Sequence, residues 1–268
     1  MLVSYNFKQI DHKEFHVSFS DRGFRYGDGL FETIIYQKNK IRFFKDHLKR
    51  LKKGMKALGI EGAEGIKKDL LEQQIVRLIS KNKLHGRIKV RINVWRKSGG
   101  LYLPNNNHFN ILITTEEQPN VYEFKAIKIA FSNEVNVSYT PFSRFKTTNA
   151  LPYIIASIEK QKRGYDDLVI CNSKKQIAEC VASNIFWVKD KVIYTPSLKT
   201  GCIAGIARKN LIKRLTKSGV KVLEVTEKKE TLLEADSIFV SNVNGIVHVQ
   251  KLEDKTFEIY DQVDSIFS

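Results

Sequence analysis

Three groups of residues between positions 145 and 208 could together carry out chemistry. Lys146 stands among small polar residues ahead of a helical pattern, in Phe145-Lys146-Thr147-Thr148-Asn149-Ala150-Leu151. Glu179 lies in a run that is otherwise poor in charge, and Gly205 opens a further helical pattern after a turn. A Lys amine can form a Schiff base, a carboxylate can keep a ring nitrogen protonated, and a helix N-terminus offers backbone N–H groups to a phosphate.

These three groups are the parts that a pyridoxal phosphate enzyme needs. Each also has a plainer explanation when it is taken singly. The chain has 45 Lys and Arg residues, so Lys146 can be a solvated charge. Glu179 can be an ordinary strand-edge carboxylate, and Gly205 can be an ordinary turn glycine. The order and spacing of the three are what favour a cofactor site.

A second motif, Asp21-Arg22-Gly23-Phe24-Arg25-Tyr26-Gly27-Asp28-Gly29-Leu30-Phe31-Glu32-Thr33, precedes them. With this motif the chain resembles the class IV pyridoxal phosphate enzymes, which have fold type IV. That family holds branched-chain aminotransferases, D-amino acid aminotransferases and 4-amino-4-deoxychorismate lyases, and the lyases are the nearest match. The resemblance runs from about Asp21 to about Val249.

The resemblance implies a role for each matching residue. Lys146 would bind the cofactor and, once displaced from it by the incoming amine, act as the general base. Glu179 would face the pyridine nitrogen. The residues that the resemblance places on the cofactor phosphate are Arg50, Ile206 and Ala207 through their backbone N–H groups, Ser241 and Asn242. Many relatives have Thr at position 207, so Ala207 keeps the backbone donor but not the hydroxyl.

Two residues are expected beside the substrate. The family places Phe31 there, although a core strand aromatic is the alternative. Arg96 ends the alternating run Arg87–Trp95 and is followed by Ser98-Gly99-Gly100, a sequence that lets the backbone turn tightly toward a cleft. A guanidinium can bind a carboxylate through two hydrogen bonds. A strand-end Arg facing solvent is the alternative for Arg96.

Lyase and aminotransferase share the same path as far as proton removal, so Lys146 does not distinguish them. Asn242 and the Arg96 loop resemble the lyases, which release pyruvate and 4-aminobenzoate in folate synthesis. An aminotransferase acting on branched-chain or D-amino acids is the alternative. A non-catalytic nucleic-acid-binding protein is a third possibility raised by the net charge of +16. The basic residues are dispersed and lack interleaved aromatics, so we expect no nucleic-acid partner.

Length and periodicity predict a mixed α/β fold of two domains. The polar segment Thr115-Glu116-Glu117-Gln118-Pro119-Asn120 is the best linker, which divides the chain into a smaller domain, 1–117, and a larger domain, 118–268, with the cofactor lysine. Apolar spacing predicts a helix after Asp46 as N-cap, ending near Gly59, and a second helix over 66–79. Strict alternation over Arg87–Trp95 predicts a half-buried strand.

The remaining expectations concern location and partners. No run of about 18 apolar residues is present, and the N-terminus does not read as a signal peptide, so we expect no membrane association. Three cysteines show no metal-ligand spacing with the six His, and reduced thiols predict a cytoplasmic protein. The resemblance further implies a homodimer and a small anionic amino substrate, and no metal is expected.

Overall fold

The computed structural model describes residues 1–118 and 126–264, and the chain divides into two compact units. Unit 1 is Met1–Val121 with Phe145–Asn149, and unit 2 is Tyr122–Arg144 with Ala150–Ser268. The segment around Lys146 therefore groups with the N-terminal unit, whereas we expected it in the C-terminal domain. A division of the chain at residue 117 stays a prediction, and Pro119-Asn120 of its linker lie outside the described residues.

Unit 1 is built from a β-sheet and three α-helices in the part of it that the structure describes. Its strands are β1 (Leu2–Tyr5), β2 (Lys8–Asp11), β3 (Gly29–Gln37), β4 (Lys40–Ile41), β5 (Ile88–Arg96) and β6 (Phe109–Glu117). Its helices are α1 (Arg22–Tyr26), α2 (Phe44–Ala57) and α3 (Lys68–Lys81). The strands pair antiparallel in the order β2-β1-β6-β5-β3-β4.

The alternation in β5 explains how this sheet is covered. Ile88, Val90, Ile92 and Val94 are buried, in one hydrophobic core with the apolar stripes of α2 and α3. The intervening residues Lys89, Arg91 and Asn93 are only partly buried and lie on the other face. The predicted strand and the two predicted helices are thus confirmed.

The start of α2 differs from the expectation. Phe43, in the left-handed conformation at φ 51°, is the N-cap residue, and Asp46 lies inside the first helical turn. Asp46 as N-cap is therefore wrong. An acidic residue in the first turn is favourable for a related reason, because the N-terminal end of a helix carries partial positive charge.

Unit 2 holds a larger, mixed sheet. Its strands are β7 (Ile127–Val137), β8 (Asp167–Asn172), β9 (Ile177–Cys180), β10 (Asn184–Lys189), β11 (Val192–Pro196), β12 (Val222–Val225), β13 (Ser237–Asn242), β14 (Gly245–Leu252) and β15 (Lys255–Thr256). Its α-helices are α4 (Leu151–Arg163), α5 (Ile206–Lys217) and α6 (Glu230–Leu233). The order is β12-β11-β10-β13-β14-β7-β8-β9, with β15 beside β14. The pairs β11–β12, β14–β7 and β7–β8 are parallel.

Helix α4 follows the Lys146 segment and ends at Gly164, whose φ of 72° fits the predicted cap. Its apolar residues Leu151, Ile154, Ile155 and Ile158 are each at least 36% exposed in the single chain. The buried side of α4 instead carries Glu159, which accepts hydrogen bonds from Ser132 and Arg163. None of the helices in the described residues is long and apolar enough to cross a membrane.

Candidate functional site

Lys146 is positioned by backbone pairing with the start of β3. The N–H of Phe31 donates to the carbonyl of Lys146 at 2.8 Å, and the N–H of Thr148 donates to the carbonyl of Gly29 at 2.9 Å. The Thr148 hydroxyl also donates to the carbonyl of Gly27 at 2.6 Å. These bonds fix the backbone from the carbonyl of Lys146 to Thr148.

The side chain of Lys146 lies over an aromatic ring. Its Nζ is 4.7 Å from the centroid of Phe31, which is only partly buried, so Phe31 is not an enclosed core aromatic. The guanidinium of Arg91 is 4.0 Å from the same centroid, and its Nε donates to Oδ1 of Asn93 at 3.2 Å. Sequence reasoning missed Arg91, although the alternation of β5 placed it on the exposed face.

Arg50 is held inside unit 1 by a buried carboxylate. Its Nε and Nη2 donate to the two oxygens of Glu32 at 2.7 and 2.5 Å, and Nδ1 of His47 is 2.6 Å from Glu32 Oε2. All three side chains are buried. Burial alone would raise the pKa of Glu32, but the Arg50 charge and the hydrogen bonds from His47 and Arg50 lower it below its usual value.

Arg96 has a structural role in place of the substrate-binding role that we expected. It is buried, and its Nε donates to Oδ2 of Asp28 at 2.9 Å. Its Nη1 donates to Gly59 O at 2.8 Å and Asn107 Oδ1 at 2.6 Å, and its Nη2 donates to Leu58 O at 2.6 Å. Because its N–H groups donate to groups of its own unit, Arg96 has no pair of donors left to bind a substrate carboxylate through two hydrogen bonds.

Asp28 also binds a second buried arginine, Arg22, which organises the glycine-rich loop. Nε of Arg22 donates to Asp28 Oδ2 at 2.8 Å, while its Nη1 donates to the carbonyls of Gly99 at 3.1 Å and Leu101 at 2.5 Å. The loop after Arg96 is therefore fixed from the Asp21–Thr33 motif. One carboxylate compensates two buried cations, which makes this cluster part of the scaffold.

In unit 2, Glu179 is buried on β9, and both of its oxygens are engaged. The hydroxyl of Tyr153 donates to Oε1 at 2.7 Å, and the backbone N–H of Ile203 donates to Oε2 at 3.1 Å. Burial raises the pKa of Tyr153 well above its usual value, and the neighbouring Glu179 charge raises it further, so the phenol stays a donor. Nothing in the sequence paired Tyr153 with Glu179, because the two residues come from different elements.

The N-terminus of α5 is built for close approach. Gly205 is its N-cap, and no side chain among the described residues caps this end. A Cβ at Gly205 would lie 2.0 Å from Oδ1 of Asn184. Nδ2 of Asn184 donates to Ser241 O at 2.7 Å and to its hydroxyl oxygen at 3.2 Å. The start of α5 at Gly205 and Ser241 of β13 thus lie against the same residue, Asn184.

These observations test whether the residues fit a phosphate. A helix end whose N–H groups have no side-chain cap among the described residues, and whose N-cap glycine adds no side chain of its own, matches what a phosphate needs. Asn242 follows Ser241 at the end of β13, and its Nδ2 donates to the Ser183 hydroxyl at 3.1 Å. The fit is therefore good in unit 2. The role of each residue on a cofactor stays a prediction.

The amino-acid sequence is similar to aminotransferases and aminodeoxychorismate lyases. The family model described as amino-transferase class IV matches residues 29–252. An aminodeoxychorismate lyase from Bacillus subtilis is 27% identical, covering 96% of this chain and 88% of that protein. An aminodeoxychorismate lyase from Vibrio harveyi is 25% identical, covering 85% of this chain and 83% of that protein. A putative branched-chain-amino-acid aminotransferase of Methanocaldococcus jannaschii is 27% identical, covering 90% of this chain and 84% of that protein.

Solved structures give the same range of relatives. A putative 4-amino-4-deoxychorismate lyase from Legionella pneumophila superposes with a TM-score of 0.87 at 25% identity, covering 96% and 95% of the chains. A branched-chain aminotransferase from Thermoproteus uzoniensis with norvaline superposes with a TM-score of 0.89 at 23% identity, covering 99% of this chain and 92% of that one. A further branched-chain amino acid aminotransferase is complexed with N-(5'-phosphopyridoxyl)-L-glutamate. It superposes with a TM-score of 0.84 at 22% identity, covering 100% of this chain and 88% of that one.

Proposed function

We propose that this chain, which belongs to the amino-transferase class IV family, is a pyridoxal-phosphate-dependent 4-amino-4-deoxychorismate lyase. The reaction would release pyruvate and 4-aminobenzoate. The observation that carries the cofactor is the N-terminus of α5, where Gly205 lets Asn184 approach closely and no side chain of the described residues caps the N–H groups. A phosphopyridoxyl group in one of the similar structures supports this choice of cofactor.

Bound at this site, pyridoxal phosphate would supply an electron sink for the electron pair left on the substrate Cα when its proton is removed. Lys146 is the proposed proton acceptor, because its carbonyl and the following residues are held against the start of β3 and proximity is worth more than intrinsic basicity. Glu179 would keep the ring nitrogen protonated by placing a negative charge beside it. Tyr153 and the Ile203 N–H hold that carboxylate in one orientation.

The family resemblance assigns phosphate donors in each unit. In unit 2 the proposed donors are the backbone N–H groups of Ile206 and Ala207, with Ser241 and Asn242 beside them. In unit 1 the proposed donor is Arg50, whose guanidinium is oriented by Glu32. An arginine that shares one edge with a buried carboxylate cannot rotate freely, so the orientation of its guanidinium is fixed.

The choice of lyase over aminotransferase rests on the end of β13 and on the relatives. By the family resemblance, Asn242 stands where aminotransferases usually carry a Gly-Thr or Ser-Thr sequence. Two relatives whose alignments cover 85% or more of this chain are named aminodeoxychorismate lyase. In the lyase reaction, proton loss at the amine-bearing carbon is followed by departure of the enolpyruvyl group from the neighbouring carbon. A class IV aminotransferase is the second candidate, since Lys146 serves both reactions and an aminotransferase relative is equally identical.

Two further parts of the proposal concern the setting of the enzyme. The three cysteines are free thiols, and Cys180 and Cys202 are buried, which supports a reducing, cytoplasmic location. A homodimer is proposed from the family resemblance alone. The substrate is proposed to be a small anionic amine.

One assay tests the proposed function. Purified protein is incubated with pyridoxal phosphate and aminodeoxychorismate, and pyruvate and 4-aminobenzoate are measured together. We expect the two products in equal amounts, and none from the Lys146→Ala variant. Amino transfer to a keto acid without release of pyruvate would assign the aminotransferase activity instead.

A further inference from the structure

Arg91 lies on the same strand as Arg96 but in a different environment. In the register of β5 against β3, Phe31 is directly opposite Asn93, two residues along from Arg91 on the same face. The Arg91 guanidinium is 4.0 Å from the Phe31 ring centroid, and Lys146 Nζ is 4.7 Å from that centroid. Because both distances run to one point, the separation of the two cations cannot exceed their sum. Arg91 is therefore a close neighbour of the proposed catalytic amine.

The hydrogen-bond donors of Arg91 are mostly unused. A guanidinium has five N–H groups, and in Arg91 the Nε group donates to Asn93. Within residues 1–118 and 126–264, neither Nη group of Arg91 donates to an acceptor. In the same unit, the N–H groups of Arg22 and Arg96 donate to Asp28 and to backbone carbonyls. Arg91 alone of these three therefore keeps a bidentate edge.

The electrostatic setting of Arg91 also favours an anion. The side chain is partly buried, and this burial lowers its pKa, with the Glu116 carboxylate acting in the opposite direction. Glu116 itself forms an ion pair with Lys89. Two cations, Arg91 and Lys146, thus share one aromatic ring, and like charges at this separation repel each other. An anion bound at Arg91 would stabilise the charged guanidinium that burial disfavours.

We propose that Arg91 is a substrate-binding residue that receives a carboxylate of the amino substrate on its Nη1–Nη2 edge. The inference rests on the proposed function, because the reaction at Lys146 fixes where the substrate lies. The ring of Phe31 holds the guanidinium plane by a cation–π contact, and Asn93 holds its Nε. Such a fork matches the two oxygens of a carboxylate, which a lysine ammonium cannot reproduce. The anion-binding role that the sequence assigned to Arg96 therefore passes to Arg91.

The test compares Arg91→Gln with Arg77→Gln, which removes a positive charge from an exposed position on α3. Succinate is the probe, because it carries carboxylates but no amine and can bind without reacting. Calorimetric titration of the cofactor-loaded proteins at constant ionic strength gives the dissociation constants. We expect wild type and Arg77→Gln to agree, and Arg91→Gln to bind succinate at least about 10-fold more weakly, which is the scale of one charged hydrogen bond.

Turnover gives a second readout. With aminodeoxychorismate, Arg91→Gln should raise KM about 10-fold or more with a much smaller change in kcat, because a contact to a non-reacting carboxylate is made before and during the reaction. Binding of pyridoxal phosphate should not change. If Arg91→Gln does not fold, Arg91→Lys replaces it, with an expected loss of several-fold.

The outcomes separate this inference from the proposed function. Absence of pyruvate release by wild type, together with Arg91-dependent succinate binding, would overturn the lyase activity and leave the carboxylate site standing. Equal succinate binding by the Arg91 and Arg77 variants, or no succinate binding by wild type, would overturn the carboxylate site.

Discussion

Arg50 in unit 1 is held by a buried ion pair with Glu32, whereas Glu179 in unit 2 accepts hydrogen bonds from two neutral donors. In unit 1, Glu32 compensates Arg50 and accepts from His47. In unit 2, a phenol and a backbone N–H orient Glu179, and an amide side chain packs against Gly205. The two units therefore depend on their supporting residues in different ways.

This difference has an energetic consequence. Removing one member of a buried ion pair leaves the other charge without compensation, which costs several kcal/mol of stability. Removing a neutral hydrogen-bond donor costs only about 0.5–1.5 kcal/mol, although it frees the group that it held. Mutations that break the Glu32–Arg50 pair should act mainly on folding stability, and mutations of the groups that hold Glu179 should act mainly on chemistry.

The largest effect is expected for Glu32→Gln. A neutral amide cannot compensate Arg50, so the free energy of unfolding should fall by roughly 3–5 kcal/mol. Urea denaturation at neutral pH measures this loss. Glu116→Gln is the matched control, because it removes an exposed carboxylate that pairs with Lys89 and should cost less than about 1 kcal/mol. Equal losses for the two variants would contradict the role of Glu32.

The same pair predicts a pH dependence. The pKa of Glu32 is lower in the folded protein than its ordinary value of 4.5, so folding favours the ionised carboxylate. Its contribution is therefore complete at pH values above that ordinary value and is lost as the pH falls through the lowered folded value. Denaturation from pH 7 down to pH 4 and below should show the difference between wild type and Glu32→Gln becoming smaller. A difference that grows toward acid pH would contradict this assignment.

A smaller effect is expected for Gly205→Ala in unit 2. The new Cβ would meet Asn184 Oδ1 at 2.0 Å, so the amide or the helix end must move. The free energy of unfolding should fall by about 1–3 kcal/mol, and the dissociation constant of pyridoxal phosphate should rise about 10-fold or more. Gly65→Ala is the control, since nothing lies within 4 Å of a Cβ there. Unchanged cofactor affinity in Gly205→Ala would remove the α5 N-terminus from the phosphate site.

The smallest effect on stability is expected for Tyr153→Phe. Removing the hydroxyl takes one hydrogen-bond donor from Glu179 and should cost about 1 kcal/mol. We expect kcat to fall roughly 10-fold while the affinity for pyridoxal phosphate is retained, because the ring nitrogen loses a well-oriented partner. Tyr36→Phe, whose hydroxyl donates to the side chain of Asn39, is the control. Equal kcat values for the two variants would argue against a positioning role for Tyr153.

Local periodicity predicted much of the fold because the alternation of β5 and the apolar stripes of α2 and α3 are determined by neighbouring residues. The expected mixed α/β fold of type IV is confirmed by the solved structures with TM-scores of 0.87 and 0.89. The apolar stripe of α4 shows the limit of such patterns. It is exposed in the single chain, because Glu159 anchors the opposite side of the helix.

The candidate site was predictable where a motif names a residue and not where distant residues decide its role. Arg96 was wrongly expected to bind substrate, because its partner Asp28 is 68 positions away and no local pattern pairs the two. Arg91 was not predicted: the alternation of β5 places it on the partly exposed face, but only the register against Phe31 brings it near Lys146. Tyr153 was found through its hydrogen bond to Glu179.

The central claim is that Lys146 carries the cofactor. The protein loaded with pyridoxal phosphate is reduced with borohydride, digested, and analysed by mass spectrometry to locate the modified residue. We predict a yellow protein whose colour is lost on reduction, with the phosphopyridoxyl group on Lys146. The group on any other lysine, or no modified peptide at all, would contradict the account.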